Sequence, residues 1–300
     1  MIGSSCIDEY YEMEHAAKLG EKTITRYLGS KVGGMIGNAA AVAASYNMTV
    51  YMMDIVNHSY NTEMILEDCR KSGILLDMIR YDDALPDVKC LIFLKDGERV
   101  IYVVPSQKRN VVLDKEQKDI LSDADYVYTS VEEIKRFKEP DKFMSWLRKV
   151  KTKIAIDVEY INEFGKEDEW RIIKNSDVIF INDEGHEQLT RKIADNYQEE
   201  LMESGRIVVH TKGDKGCEIS VAGSDKYKIA SYKVTPVDTT GAGDTFNASF
   251  VYGLSQGWDI GYIGRFSNAA AGRAILNMGA RSGAVGELAV KEFMKEREKI

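Results

Sequence analysis

The stretch VDTTGAGDTF, residues 237–246, decides how the rest of this chain is interpreted. Before it, residues 226–234 alternate polar and apolar side chains as a strand does. After it, Phe246, Phe250 and Leu254 recur every four residues, with Val251 on the same face, which is typical of a helix. The two glycines of the stretch are therefore predicted to lie in a turn that leads into a helix N-terminus.

This turn combines flexible backbone with a carboxylate, which predicts a site for an anion. The first N–H groups of a helix have no partner within the helix, and the macrodipole makes that end positive. Gly241 and Gly243 let the backbone approach a ligand closely, as a phosphoryl group requires. Asp244 is placed to accept a proton from an alcohol that attacks phosphorus. The alternative is that Asp244 only caps the helix and the glycines only turn the chain.

Composition excludes several classes of protein. The chain has 300 residues, of which 44% are hydrophobic, enough for a sizeable core. Its formal charge of −8 argues against a nucleic-acid-binding face. The N-terminus has neither the basic nor the apolar region of a signal peptide, and no run approaches the ~18 apolar residues of a membrane span. We therefore expect a cytoplasmic protein with no nucleic-acid or membrane partner.

The cysteines and histidines are scattered along the chain, without a CxxC or HExxH motif. We expect the thiols to be reduced core residues, and this spacing does not predict a zinc site. The cysteines are Cys6, Cys69, Cys90 and Cys217.

From about residue 120, short apolar runs alternate with amphipathic segments. The runs lie at 126–129, 153–157, 178–182 and 206–211. The intervening Lys- and Glu-rich segments, such as 141–151 and 184–203, have helical character. This alternation predicts an α/β fold with a mostly parallel sheet covered on both faces.

The first third of the chain differs from this pattern. Residues 21–31 and 90–104 alternate like exposed β-strands, and KDGER at 95–99 predicts a hairpin turn. Residues 35–46 are Ala-rich and helical, and 50–56 predict a buried strand. We interpret the β segments as a small sheet that forms a lid over the end of the parallel sheet. Its bare apolar face makes a homodimer through the lid plausible.

VDTTGAGDTF resembles the C-terminal signature of the ribokinase-like, or PfkB, family of carbohydrate kinases, and other segments match in the expected order. Gly33, Gly34 and Asn38 resemble the GGxxxN substrate segment. Asp8, shortly after a strand expected to end at Gly3, resembles the sugar-binding aspartate. HTKGDKG at 210–216 resembles the TxGxxG nucleotide segment, and Asn268 resembles an adenine-side asparagine. No GxxxxGK[ST] P-loop occurs.

The resemblance implies a ribokinase-like three-layer α/β/α core formed by one kinase domain over residues 1–300. The lid segments would be inserted near 9–32 and 86–112. Asp244 would be the general base, and Gly241, Ala242 and Gly243 would form the anion hole.

The resemblance also implies the ligands and the residues that hold them. ATP and Mg²⁺ would be the cofactors, and Asp238 and Thr240 could hold a monovalent cation such as K⁺. The sugar would be bound by Asp8, Gly33, Gly34 and Asn38. The nucleotide would be bound by Thr211, Gly213, Gly216 and Asn268.

Two positions depart from the family pattern. The family often carries NxxE after the strand near residue 180, but here Gly185 stands at the glutamate position. Glu184 or Glu187 could act through water instead, or the magnesium ion could rest on ATP and solvent. An Asp-x-Asn pair is replaced by residues 157–159, DVE.

Three functions are left open. The leading prediction is an ATP-dependent kinase for a hydroxymethyl group of a small sugar or sugar acid. A nucleoside kinase is the alternative within the family, because Met35 and Ile36 could form an apolar wall for a base. A non-catalytic sugar or nucleotide sensor is supported only by Gly185.

Two of the candidate site residues also have a purely structural interpretation. Asp8 could cap a turn, and Asn268 could be a buried polar residue whose hydrogen bonds are satisfied by backbone.

Overall fold

The computed structural model describes residues 1–96, 98–158, 167–193, 196–224 and 226–297. The strands are, in chain order, β1 (Cys6–Met13), β2 (Thr25–Gly33), β3 (Asp54–Val56), β4 (Ile79–Tyr81), β5 (Lys89–Lys95), β6 (Glu98–Val104), β7 (Tyr126–Ser130), β8 (Lys153–Val158), β9 (Val178–Ile181), β10 (Ile207–Thr211), β11 (Cys217–Val221) and β12 (Tyr227–Ile229). The helices are α1 (Met35–Ser45), α2 (Tyr60–Lys71), α3 (Lys115–Asp123), α4 (Val131–Lys135), α5 (Pro140–Lys149), α6 (Asp168–Lys174), α7 (Asp183–Lys192), α8 (Tyr197–Glu203), α9 (Ala242–Ser255), α10 (Ile260–Ala274) and α11 (Glu287–Arg297).

The central sheet has the order β12-β11-β10-β9-β8-β7. Strands β7 to β10 run parallel, and β11 and β12 add an antiparallel edge. Beyond β7, the N–H of Ile2 donates to the carbonyl of Tyr128 at 2.9 Å, and Ile2 pairs in parallel with Met53. The parallel pair β3–β4 lies on that side. The sheet is therefore mostly parallel.

Helices cover both faces of this sheet. Because successive strand residues point to opposite faces, Ile179 and Phe180 of β9 belong to different clusters of buried side chains. Phe180 packs in the cluster that contains Phe250 of α9. Ile179 lies in the cluster that contains Leu147 of α5. The predicted three-layer α/β/α fold is confirmed.

A second sheet of four strands has the order β2-β1-β5-β6. Strand β1 pairs antiparallel with β2 and parallel with β5, and β5 and β6 form a hairpin. Asp96 begins the hairpin turn with a φ of 50°, and Gly97 lies outside the described residues. We call these four strands the lid sheet; that it closes over a ligand stays a prediction.

The sequence misplaced several element boundaries. The helix expected over 184–203 ends at Lys192, and a second helix begins at Tyr197; Leu189 of the first and Leu201 of the second are both buried. Gly3 does not end a strand: only Ile2 forms a bridge there, and Gly3 turns the chain with a φ of 144°.

Two predicted strands are shorter than expected. The strand expected over 226–234 is confined to β12, because the carbonyls of Ile229 and Ala230 accept hydrogen bonds from a side chain of α10. In the segment 50–56, only β3 is a strand, and Tyr51 and Met53 form single bridges. Within the described residues, no helix is both long and apolar enough to cross a membrane.

Candidate active site

The N-terminus of α9 is open towards a ligand. Gly241 precedes it with a left-handed φ of 78°, and no side chain caps the first turn. A Cβ at Gly241 would overlap the carbonyl oxygen of Ala280, whereas a Cβ at the exposed Gly243 would meet no protein atom within 4 Å. Packing therefore requires glycine at 241 but not at 243. The free space at Gly243 and the uncapped helix end fit an incoming anion.

Asp244 lies in this first turn and contacts the predicted substrate helix. The Nδ2 group of Asn38 donates to Oδ2 of Asp244 at 2.8 Å. Asn38 belongs to the first turn of α1, which follows Gly34 with its φ of 93°, and only 3% of its surface is exposed. A buried amide therefore orients the predicted base.

Asp8 lies beside the same helix start, on β1. Strand pairing places Cys6 opposite Gly33, and a Cβ at Gly33 would overlap the Asp8 carboxylate. Gly33 thus leaves the space that Asp8 occupies. Burial raises the pKa of Asp8, although hydrogen bonds from Cys6 and Cys90 and the charge of Arg281 partly oppose this.

The Asp238 carboxylate organises the loop before α9. Its Oδ1 accepts from the N–H of Thr240 and its Oδ2 from the N–H of Gly279, both at 2.9 Å. Burial would raise the pKa of Asp238, but the hydrogen bonds from Thr240 and Gly279 and the charge of Arg99 lower it on balance. Asp238 and Thr240, the predicted cation ligands, thus lie together.

Arg99 is a residue that the sequence analysis missed. It projects from β6 of the lid sheet, and its Nη1 group donates to Oγ1 of Thr240 at 2.6 Å. The same group lies 3.9 Å from Oδ1 of Asp238. A single arginine on an exposed strand gives no signal in a sequence, because its partner depends on how the two sheets are oriented.

The predicted nucleotide residues form a second group, along the edge of β10, β11 and β12. Thr211 ends β10, and Gly213 follows in a 3₁₀ turn with a φ of 55°. Gly216 has a φ of 91°, and a Cβ there would overlap the carbonyl oxygen of Ile229. Asn268 of α10 donates from Nδ2 to the carbonyls of Ile229 at 3.3 Å and Ala230 at 3.2 Å.

The two groups of residues are connected through α10. Asn268 lies within this helix, and the carbonyl of Ile275 at its C-terminal end accepts from the N–H of Val237 at 2.7 Å and of Asp238 at 3.2 Å. The Asn268 amide group is satisfied by hydrogen bonds to backbone carbonyls, which was the alternative interpretation of this residue. Its position still fixes the strand edge that carries Gly216.

A buried polar network lies beneath Asp244. Asn247, one turn further along α9, donates from Nδ2 to Oδ2 of Asp157 at 2.6 Å. The Tyr128 hydroxyl donates to the same oxygen at 3.1 Å and accepts from Asn247. Burial and the charges of Asp157 and Asp244 raise the pKa of Tyr128 well above its usual value. Tyr128 and Asn247 were missed, and Glu159 lies outside the described residues.

Gly185 has a structural reason. Asn182 caps α7 by accepting from the N–H of Gly185 at 2.7 Å, which draws this turn against β8. A Cβ at Gly185 would lie 2.6 Å from the carbonyl oxygen of Val158, so a glutamate does not fit there. Glu184 and Glu187 are exposed on α7.

The fold and the uncapped, carboxylate-bearing helix start are those of a small-molecule kinase. Residues 1–285 match the model of the pfkB family of carbohydrate kinases, so the chain belongs to that family. The predicted resemblance is confirmed, and the protein is an enzyme, a kinase.

Individual relatives agree over nearly the whole chain. A ribokinase of Bacillus subtilis is 26% identical, with 98% of each chain covered. The structure of Arabidopsis thaliana ribokinase complexed with ribose and ATP superposes with a TM-score of 0.85 at 21% identity, covering 98% of this chain and 97% of that one. A nucleoside kinase of Methanocaldococcus jannaschii superposes with a TM-score of 0.80 at 17% identity, covering 98% and 97%.

Proposed function

We propose that this protein transfers the γ-phosphoryl group of ATP to a hydroxymethyl group of a small sugar or sugar acid. The hydrogen bond between Asn38 and Asp244 carries the proposal, because it joins the predicted sugar-binding helix to the predicted base at an open helix N-terminus. Similarity to ribokinases over the full length supports a sugar as the acceptor.

Asp244 has the role of general base. It accepts the proton of the attacking hydroxyl as the new O–P bond forms, and ADP leaves. The N–H groups of Gly241, Ala242 and Gly243 hold the transferring phosphoryl group and its developing charge. The N–H of Ala242 makes a long bond, 3.3 Å, to the carbonyl of Thr239, which a phosphoryl oxygen would replace.

The sugar is held on the other side of Asp244. Asp8 can accept hydrogen bonds from sugar hydroxyls, and Asn38 holds the base in line with the acceptor. Gly33 and Gly34 provide the close approach between β1 and α1 that brings these two side chains to one place.

ATP would lie along the edge that carries Thr211, Gly213, Gly216 and Asn268, with its phosphates towards the N-terminus of α9. Mg²⁺ neutralises phosphate charge and keeps several waters of its own. A glutamate does not fit at position 185. We therefore assign the ion to the ATP phosphates and water, and the exposed Glu184 and Glu187 would act on it only through water. Asp238 and Thr240 remain the proposed ligands of a monovalent cation, K⁺, which would replace the Nη1 group of Arg99 beside them.

The two alternatives differ in the support that remains. Ile36 is 2% exposed and packs in the core with Ala39 and Val42, so its apolar character needs no nucleobase. Met35 is only partly buried against the same core, so a nucleoside acceptor stays the alternative within the family. Gly185, the support for a sensor, is explained by its contact with β8.

The test is ADP release from Mg·ATP across a panel of sugars, sugar acids and nucleosides, using the wild-type protein and Asp244→Asn. We expect turnover with one sugar class and a loss of ~10²–10⁴-fold in the variant, while calorimetry still detects sugar and ATP binding. Asp141→Asn, an exposed first-turn carboxylate of α5, is the matched control and should keep full turnover. Full turnover in Asp244→Asn would exclude it as the base, and a nucleoside substrate would replace the sugar assignment.

A further inference from the structure

Three groups with metal-binding atoms lie next to the proposed sugar site. Cys6 and Asp8 share one face of β1, and Cys90 lies opposite Asp8 on β5. The ligand atoms of Cys6, Asp8 and Cys90 all lie within 4.8 Å of one another, the one such cluster of His, Cys, Asp or Glu among the described residues. The scattered cysteine spacing did not predict it, because strand pairing alone brings residues 6 and 90 together.

We propose that Cys6, Asp8 and Cys90 form a binding site for a thiophilic divalent cation of the zinc class. Around a tetrahedral centre with Zn–S bonds of about 2.3 Å and a Zn–O bond of about 2.0 Å, two sulfurs lie about 3.8 Å apart and a sulfur and an oxygen about 3.5 Å apart. The Sγ atoms of Cys6 and Cys90 are 3.7 Å apart. Sγ of Cys6 and Oδ1 of Asp8 are 3.3 Å apart. Two of the three ligand separations therefore lie close to the required values before a cation binds, and the third, between Cys90 and Asp8, is below 4.8 Å.

Strand register favours a bridging cation over a disulfide. Cys90 is in register with Asp8, so Cys6 lies two residues further along the neighbouring strand. Regular strand spacing places such a diagonal pair of Cα atoms about 8 Å apart. A disulfide requires Cα atoms within about 7 Å. A cation between the sulfurs needs no such approach.

The local charges also suit a divalent cation. A cation that binds here takes the place of the thiol protons, because the thiolate is the ligand. The two thiolates and the Asp8 carboxylate then carry three negative charges. Arg281 acts on both Cys6 and Asp8 electrostatically but also pairs with Asp68, so a divalent cation would be the main counter-charge to these three ligands. A water molecule can complete the tetrahedron.

A consequence rests on the proposed function. Asp8 is the proposed acceptor of sugar hydroxyls, and a cation bound to its carboxylate withdraws it from the sugar. Occupation of the cluster should therefore inhibit the kinase competitively with sugar, and sugar should weaken cation binding.

Cobalt(II) is the direct probe, added to the reduced, metal-free full-length protein. We expect one Co²⁺ per chain with a thiolate-to-cobalt charge-transfer absorption band. Cys6→Ser and Cys90→Ser should each lose most of that absorption. Cys69→Ala is the matched control and should keep it, since Cys69 is a buried cysteine of α2 that lies outside the cluster. Absence of the band in wild type, or its survival in both serine variants, would overturn the proposal.

A second measurement needs no variant to fold. Alkylation of wild-type thiols is followed by mass spectrometry with and without Zn²⁺. Zinc should slow the modification of Cys90, which is only partly buried, and an unchanged rate would contradict the site.

The inhibitory consequence is tested separately with the sugar that the panel identifies. Zn²⁺ should raise the apparent KM for sugar in wild type and much less in Cys90→Ser; equal inhibition of both would overturn the consequence. The cobalt spectrum requires no turnover. It therefore tests the metal site even if none of the sugars in the panel is a substrate.

Discussion

Asn38 of α1 and Asp244 of α9 lie 206 residues apart in the sequence, yet Nδ2 of Asn38 donates a hydrogen bond of 2.8 Å to Asp244. A neutral amide suits this position, because it donates to a carboxylate without removing its capacity to act as a base. A charged partner at the same distance would shift the pH at which that carboxylate takes up a proton.

Replacement of Asn38 by aspartate should therefore shift the pH dependence of the reaction. Two carboxylates so close cannot both ionise readily, so the apparent pKa of the pair rises and the active, deprotonated base is lost at higher pH. The acid limb of the kcat/KM profile should move upward by at least about one pH unit.

The matched control is Asn38→Ala, which removes the hydrogen bond without adding a charge. It should lower kcat/KM and move the acid limb upward by clearly less than Asn38→Asp does, because only the hydrogen bond to the ionised carboxylate is lost. An unchanged pH profile for Asn38→Asp would show that residue 38 does not contact the base.

Gly185 gives a second prediction at this scale, about stability. In Gly185→Ala the new Cβ must displace α7 from the carbonyl of Val158, which lies 2.6 Å away, and overpacking of this kind costs about 1–3 kcal/mol. Gly272→Ala on α10 is the control, because its nearest atoms are at 3.7 Å and alanine favours a helix. Urea unfolding should show a loss for the first variant and none for the second. Equal stability would mean that α7 can move without cost.

At the scale of elements, the segment after β6 is fixed to the core by a buried lysine. Nζ of Lys108 pairs with Asp54 of β3 and lies 2.9 Å from Oε2 of Glu133 on α4. It also donates to Oγ of Ser4 at 3.2 Å. Burial alone would lower the pKa of Lys108, but the two carboxylates raise it on balance, so the lysine is charged.

Lys108→Met should destabilise the protein by about 3–5 kcal/mol, because it leaves the buried Asp54 without its cation and Glu133 with only Arg136, whose Nε lies 3.6 Å from Oε1 of Glu133. Lys142→Met is the control: Lys142 also pairs with a glutamate, but its side chain is 77% exposed, so the change should lie within about 1 kcal/mol. Thermal unfolding of both variants distinguishes them. Similar melting temperatures would mean that the buried cluster does not hold this segment in place.

The sequence predicted elements well where a local pattern determines them. The apolar runs of β7 to β10 and the helix after VDTTGAGDTF have the expected types, because burial on both sheet faces and apolar periodicity leave a clear signal. The split of 184–203 into two helices was missed, since both halves carry the same Lys- and Glu-rich character.

The site was predictable only where a motif marks it. The positions of Gly33, Asn38 and Asp244 follow from motifs, but their mutual contact does not. Arg99 and the Cys6–Cys90 approach depend on the order and register of strands in the lid sheet. Pairing between distant strands is a long-range property that no short sequence pattern encodes.

At the scale of the whole molecule, the outer strand of the lid sheet is unusually apolar for an exposed surface. Val100, Ile101, Tyr102 and Val103 of β6 are all between 41% and 63% exposed. Because neighbouring strand residues point to opposite faces, apolar surface lies on both sides of this edge strand. Exposed apolar edge strands favour association with another chain. We propose a second copy of this chain as the partner.

A homodimer through the lid sheets should dissociate when β6 becomes charged. In the double variant Ile101→Lys/Val103→Lys, like charges would face each other across a twofold axis, so sedimentation should change from dimer to monomer. Leu288→Lys on α11 is the matched control; Leu288 is 76% exposed but lies outside the lid sheet, and its variant should stay dimeric. A monomeric wild-type protein, or a double variant that stays dimeric, would rule out this interface.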